Sequence, residues 1–253
     1  MKRSSRARIG ATAALGVLSL ALVTGCGGGS DDDAKETGAS KEAGASSVPS
    51  TAAAAKALSA AALEKLLLVQ SDLPRDKVSD ADDTLPKSRS ELTTDKAACA
   101  PLAHALTGLP PGDTDAGASN TVTSEERLGN SFEVTMTSVG LSSYEGDGAE
   151  KALDAVSSGI AACSGGFGIT AQGEKMKITK VAAGKASGKG DESVAFVLDA
   201  DMDGEGTGSF TVEVVRVGTI VSTYYSVDFA SIESGGTSAV PLAVIDAQVG
   251  KLK

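Results

Sequence analysis

Tryptophan is absent from this chain, aromatic residues of every kind make up 3%, and 253 residues share three cysteines and one histidine. Each shortage excludes something. With so few rings, the core has to be built from Val, Leu, Ile and Ala. A single histidine, His104, leaves no histidine cluster for a metal. There is also no G-x-S-x-G elbow, no S-x-x-K dyad and no His/Cys ligand set. His104 therefore reads as a surface or satisfied histidine rather than a catalytic base, and the sequence supports neither an enzyme nor a cofactor or metal site. Positive charge is scarce too: the formal net charge is -10. Four of the basic residues are Lys2, Arg3, Arg6 and Arg8; without them 19 basic residues face 33 acidic ones, a balance of -14. Such a surface repels phosphate backbones and excludes nucleic acid as a partner.

The only long apolar run is "IGATAALGVLSLALV", residues 9–23, preceded by the basic start "MKRSSRAR". Its 15 residues fall short of the roughly 20 that a membrane-spanning helix needs. The three-part pattern is that of a secretion signal. It ends in Val23, Thr24, Gly25 and Cys26, which resembles the bacterial lipobox, where the cysteine is acylated and the chain is cut just before it. Small residues admit the backbone to a peptidase at the membrane face, and the thiol is the nucleophile that takes the lipid. The expectation is a signal peptide over 1–25 and a lipid on Cys26 that anchors the chain to the outer face of the cell membrane. The competing reading is an ordinary secreted protein whose Cys26 is incidental.

From 26 to 55 the chain is Gly-, Ser-, Ala- and Asp-rich, beginning "CGGGSDDD". It has almost nothing to bury and reads as a disordered tether, spanning roughly 30 Å by the square-root rule for Gly-rich coils. Removing Cys26 from the count leaves Cys99 and Cys163. In an exported chain these form one disulfide, closing a loop of about 65 residues; the alternative is two buried free thiols.

Residues 56–253 carry the folded domain. Leu58, Ala62, Leu66 and Val69 recur near a helical period, which predicts a helix over about 52–69 stopped by "SDLP". Residues 75–93 read as charged and irregular. A short helix follows at "DKAACAPLAHAL", with Cys99, Leu102, Ala103 and Leu106 on one face; Pro101 requires that the regular helix begin near it, after a looser turn. "NTVTSEERL" and "SFEVTMTSVGL" read as a hairpin about Gly129 and Asn130. In the second strand Phe132, Val134, Met136 and Ser138 share one side, and Glu133, Thr135 and Thr137 the other. Asp147 and Glu150 signal the start of a helix whose stripe is Ala149, Leu153, Val156, Ile160 and Cys163, stopped by Gly165 and Gly166. Four strands follow, "GEKMKITKVA", "DESVAFVLDAD", "GSFTVEVVRVG" and "TIVSTYYSVDFA", with a two-residue turn at Gly218 and Thr219, and a last helix carries Val240, Val244 and Val249. This order predicts a single α+β domain: a largely antiparallel sheet with helices packed on one face, and one disulfide.

Two local features invite a site. "DADMDG", residues 199–204, matches the first half of a calcium loop, with Asp199, Asp201, Asp203 and Glu205 as the ligands to test. The twelfth position, however, is Phe210 where a bidentate glutamate is needed, so a solvated acidic turn is the better reading. Tyr224 and Tyr225 point to opposite faces of one strand, and either could line a groove.

The stretches "LEKLLLVQSDLP", "AACAPLAHAL", "AEKALDAVSSGIAACSGG", "GDESVAF" and "VVRVGTIVSTYY" together resemble the extracellular sensor domain of actinobacterial PknH-type serine/threonine kinases, over about residues 57–250. The resemblance implies an α+β sheet with a ligand cleft held by disulfides, with Cys99 and Cys163 as one of its bridges. The chain departs from the family in having no second cysteine pair and no tryptophan before the later cysteine. It also carries no kinase domain, so a signal would pass through a partner. Composition and resemblance together predict a non-enzymatic, membrane-anchored lipoprotein that binds an unknown ligand or an envelope protein. The alternatives are a carrier of hydrophobic molecules and an envelope adaptor.

Overall fold

The computed structural model describes residues 56–81, 84–128, 131–201, 207–228, 230 and 236–253, without the side chains of 127, 128, 131 and 132. Cys26, the signal segment and the tether lie outside these residues, as do the 129–130 turn, Asp203 and Glu205.

Nine antiparallel strands form one sheet in the order β1-β3-β4-β9-β8-β7-β6-β5-β2. They are β1 (Lys77–Asp80), β2 (Leu92–Thr94), β3 (Gly117–Leu128), β4 (Ser131–Ser143), β5 (Phe167–Ala171), β6 (Glu174–Ala183), β7 (Glu192–Asp201), β8 (Thr207–Val217) and β9 (Ile220–Asp228). Four helices accompany them among the described residues: α1 (Ala60–Glu64), α2 (Ala100–Leu106), α3 (Gly148–Ala162) and α4 (Leu242–Leu252). The α+β class, the antiparallel sheet and the single disulfide are as the sequence predicts.

The helices divide between the two faces. Strand alternation puts Phe196, Leu198, Phe210, Val212, Val214 and Val221 on one side, where they share a core with Leu102 and Leu106 of α2 and Leu153 and Val156 of α3. The opposite parity puts Val122, Val139, Val215 and Tyr224 against Val244, Ile245 and Val249 of α4, while Leu141 and Ile220 meet Leu63 of α1. Gathering on one face holds for α2 and α3; α1 and α4 cover the other. The physical reason is that several strands are apolar at both parities, as in "VEVVRV", and a sheet with two apolar faces needs two covers.

The first helix is shorter than its period suggests. Ser59 caps it, its hydroxyl accepting from the Ala62 amide at 3.3 Å, and the regular turn ends at Lys65. Beyond that the sheet and α4 capture the chain: Asn120 Nδ2 of β3 donates to the Leu68 carbonyl at 2.7 Å, and Gln248 Nε2 of α4 donates to the Leu66 carbonyl at 2.8 Å. Leu63, Leu67 and Leu68 become buried, and Val69, expected inside, is 50% exposed. Lys251 ties α4 to the same segment through Asp72 at 2.6 Å, which holds the Asp72 carboxyl below its ordinary value.

Around Pro101 the structure follows the expected compromise, with a 3-10 turn over Ala97–Cys99 and the proline in the first turn of α2. Cys99 caps the start of α2 and Cys163 the end of α3, and the two are bonded. The α3 stripe is Ala149, Ala152, Leu153, Val156 and Gly159. Asp147 precedes it but makes no side-chain cap bond, pairing instead with Lys151 at 2.8 Å. Gly218, with φ +58, makes the tight turn between β8 and β9.

Residues 75–93, read as irregular, contribute both edges of the sheet, β1 and β2. Between them residues 84–91 form a strap on the α2/α3 face. From β3 to the β5–β6 turn is five to six positions in the strand order, about 24–29 Å in a flat sheet at about 4.8 Å per strand. Yet Leu85 of the strap lines a cavity with Thr121, Met136 and Tyr225, while its carbonyl accepts from Gln172 Nε2 at the β5–β6 turn, 3.1 Å away. The sheet must curl toward the strap for one residue to reach both.

Candidate functional site

The cleft beneath the strap is built from three elements. Its floor is the α2/α3-side face of β3, β4 and β9: Ser119, Thr121, Met136, Ser138, Tyr225 and Val227. One wall is the turn after α2. Gly108, with φ +74, lies against Gly140 of β4, where an added Cβ would come within 2.6 Å of Thr223 Oγ1 and closer still to the Gly108 carbonyl. Only glycine permits that approach. Tyr144 holds the rest of this turn, its hydroxyl accepting from the Gly112 amide at 3.0 Å and from Ser142 Oγ at 3.2 Å. The roof is the strap, fixed by the Gln172 bond and by Arg89, whose Nη1 meets Asp113 at 3.2 Å.

Two compartments share Leu85. The outer one, about 530 Å³, opens between the strap and the turn and carries charges of both signs, with Asp80 and Asp115 facing Lys87 and Arg89. The inner one, about 260 Å³ and also open to solvent, is walled by Leu85, Met136, Tyr225 and Val227 together with Thr84. Thr121 and Ser138 sit opposite each other across β3 and β4 on its floor. They are 5% and 7% exposed, and neither hydroxyl makes a hydrogen bond within the protein. Buried hydroxyls are ordinarily paired, and these two oxygens are closed off from the cavity itself, Ser138 Oγ lying against the Gly108 turn. Burial raises the Tyr225 phenol above its usual pKa and keeps it protonated. Its ring packs against Phe210, centroids 5.7 Å apart.

His104 is neither exposed nor fully satisfied. It is buried on α2 with Nδ1 unpaired, and desolvation, aided by the nearby Arg89 cation, lowers its pKa to about 4. It is neutral at physiological pH and too weak a base for general-base work there.

The structure places the other sequence candidates plainly. Cys99 and Cys163 come together in their bond, away from the cleft lining. In the calcium-like stretch, Asp199 lies within β7 and accepts from Ser209 Oγ at 2.6 Å. Among the described residues no group of three or more His, Cys, Asp or Glu could hold a metal, and no helix is long and apolar enough to cross a membrane. Of the two tyrosines, Tyr225 lines the inner compartment and Tyr224 is core. Thr121 escaped the sequence reading. Ser138 left a trace, a polar residue continuing the stripe of Phe132, Val134 and Met136.

No protein-family model matches the chain, and no curated protein matches it. Among solved structures it is similar to the crystal structure of the extracellular domain of PknH from Mycobacterium tuberculosis, at 16% identity and a TM-score of 0.46. The match covers 78% of this chain and 97% of that one. At that level the likeness transfers no function.

Proposed function

We propose that this chain is a non-catalytic binding domain of sensor type, tethered by a lipid on Cys26 to the outer face of the cytoplasmic membrane. The observation that carries the binding role is the cleft under the strap, with its charged outer and mainly apolar inner compartment. The tethering rests on the leader and the V-T-G-C stretch, and the disulfide suits an oxidising compartment. A carrier of membrane lipids needs a larger and drier cavity than about 260 Å³ with hydroxyls at its base. An adaptor needs an extended apolar patch; among the described residues the exposed large hydrophobics are Val69, Met176 and Leu242.

Mass spectrometry tests both halves. The intact mature protein is expected to lack residues 1–25 and to carry acyl chains on Cys26; an unmodified Cys26 rejects the anchor. Native spectra of protein from its own envelope are expected to show a small bound molecule. If no molecule copurifies and no member of a broad ligand library shifts the melting temperature, the binding role is rejected.

A further inference from the structure

The charges of the outer compartment are sorted by element. Lys87 and Arg89 belong to the strap, whereas Asp80 ends β1 and Asp115 lies just before β3. The four cancel, so the compartment has a positive side and a negative side rather than a net charge. Arg89 is half-sheltered, its side chain 32% exposed, and Nη1 meets Asp113 at 3.2 Å. No other hydrogen bond from its guanidinium is made among the described residues. Asp113 is itself fully exposed, so a ligand carboxylate can share or replace it at the cost of one solvated ion pair. Nε is buried, which leaves the Nη end of the fork for that carboxylate. A volume of about 530 Å³ is about 8 Å across, close to the roughly 7 Å that two extended residues span. Leu85 lines both compartments, so Met136, Tyr225 and Val227 offer apolar surface next to these charges.

Resting on the binding reading above, we propose that the cleft binds a short peptide with both termini free, about two residues long and carrying an apolar side chain. The terminal carboxylate lies at Arg89, the terminal ammonium on the side of Asp80 and Asp115, and the apolar side chain passes Leu85 into the inner compartment. Both charge pairs stay in contact with water, so binding weakens as salt is added.

Calorimetric titration of the full, disulfide-bonded chain with alanyl-leucine and four relatives tests the class. N-acetylalanyl-leucine lacks the ammonium and alanyl-leucinamide the carboxylate; each is expected to bind about fivefold more weakly, as for a partly exposed charge pair. Alanyl-glycine, without the apolar side chain, and leucine, whose two charges sit on one carbon, are expected to lose a similar factor. In the variant Arg89→Gln, alanyl-leucine should fall about fivefold, to the affinity of alanyl-leucinamide, while the amide keeps its own. A variant that weakens acid and amide by the same factor gives Arg89 a merely structural role and overturns the proposal. So does any of the four relatives binding as tightly as alanyl-leucine. The ranking in the native sequence needs no variant, and absence of alanyl-leucine binding there is sufficient to reject the class. The binding reading survives that result if another chemical class binds the cleft, and fails with it if the broad library is also silent.

Discussion

Tyr224 and Tyr225 are adjacent in β9, and their surroundings differ completely. Tyr224 is fully buried between Val122, Val139 and Val215 and the α4 residues Val244 and Ile245. Tyr225, one residue on, faces the cavity beneath the strap with Met136 and Val227. The same contrast runs along β4, where Val139 and Leu141 are core while Met136 and Ser138 line the cleft. One face of these strands is filled by helix side chains packed for stability. The other carries α2 and α3 over part of its width and, over β3, β4 and β9, the strap and an open cleft. Strand alternation thus separates a closely packed side from a cleft-facing one with a period of two residues.

That comparison can be broken or sharpened by denaturant unfolding. Tyr224→Ala is expected to cost about 4 kcal/mol, as for a large ring removed from a packed core. Tyr225→Ala should cost about 2 kcal/mol, because part of its surface already faces a cavity. Equal costs would show that both faces are core. A loss between these two, about 3 kcal/mol, is expected when Cys99 and Cys163 are both replaced by serine, since their bond restrains a loop spanning 64 positions in the unfolded chain. Because the bond joins α2 to α3 on the cleft side, the double variant should also lose hydrogen-exchange protection in α2 before α4. Uniform loss across both helices would argue against independent faces.

An effect of the same size as that of Tyr225→Ala is expected in the pH dependence. The His104 pKa, about 4 in the folded chain, lies below the ordinary value near 6.5. The unfolded chain therefore binds more protons between these values, and stability rises with pH through that window. Acidification from pH 6.5 to pH 4 is expected to remove roughly 2 kcal/mol, discounted for residual solvent screening. His104→Leu should flatten this part of the curve. A variant whose pH profile parallels the native one would place His104 in water.

How much of this was legible in the sequence depended on the length of each pattern. The long strands and α3 show their periods over ten or more residues, and the Gly218–Thr219 turn is marked by its glycine. β1 and β2, of four and three residues, are too short for a period, and charged neighbours made them read as loop. β5, "FGITA", is short and contains a glycine. α1 was overread because alanine supports helix while saying nothing of the sheet contacts that end it at Lys65. Alternation divided Tyr224 from Tyr225 but could not say which face would be packed, since that depends on α4 and the strap, both distant in sequence. Thr121 and Ser138 looked like ordinary strand polar residues. The α+β class needed only the order of elements, whereas the cleft needed the curl of the sheet. The expected resemblance to the PknH sensor domain reaches as far as a likeness in fold.

The strap has a consequence for the order of assembly. The strands at its two ends, β1 and β2, pair with β3 and β5, which stand six positions apart in the sheet order. Each end can pair with its own neighbour, but both can be held at once only when the strands between β3 and β5 have aligned, so full docking of the strap comes late. Until it docks, β3 and β5 present bare backbone at both margins, the surface on which other chains add. With so small an aromatic core, the domain is therefore most prone to aggregate in the interval before β1 and β2 take their places.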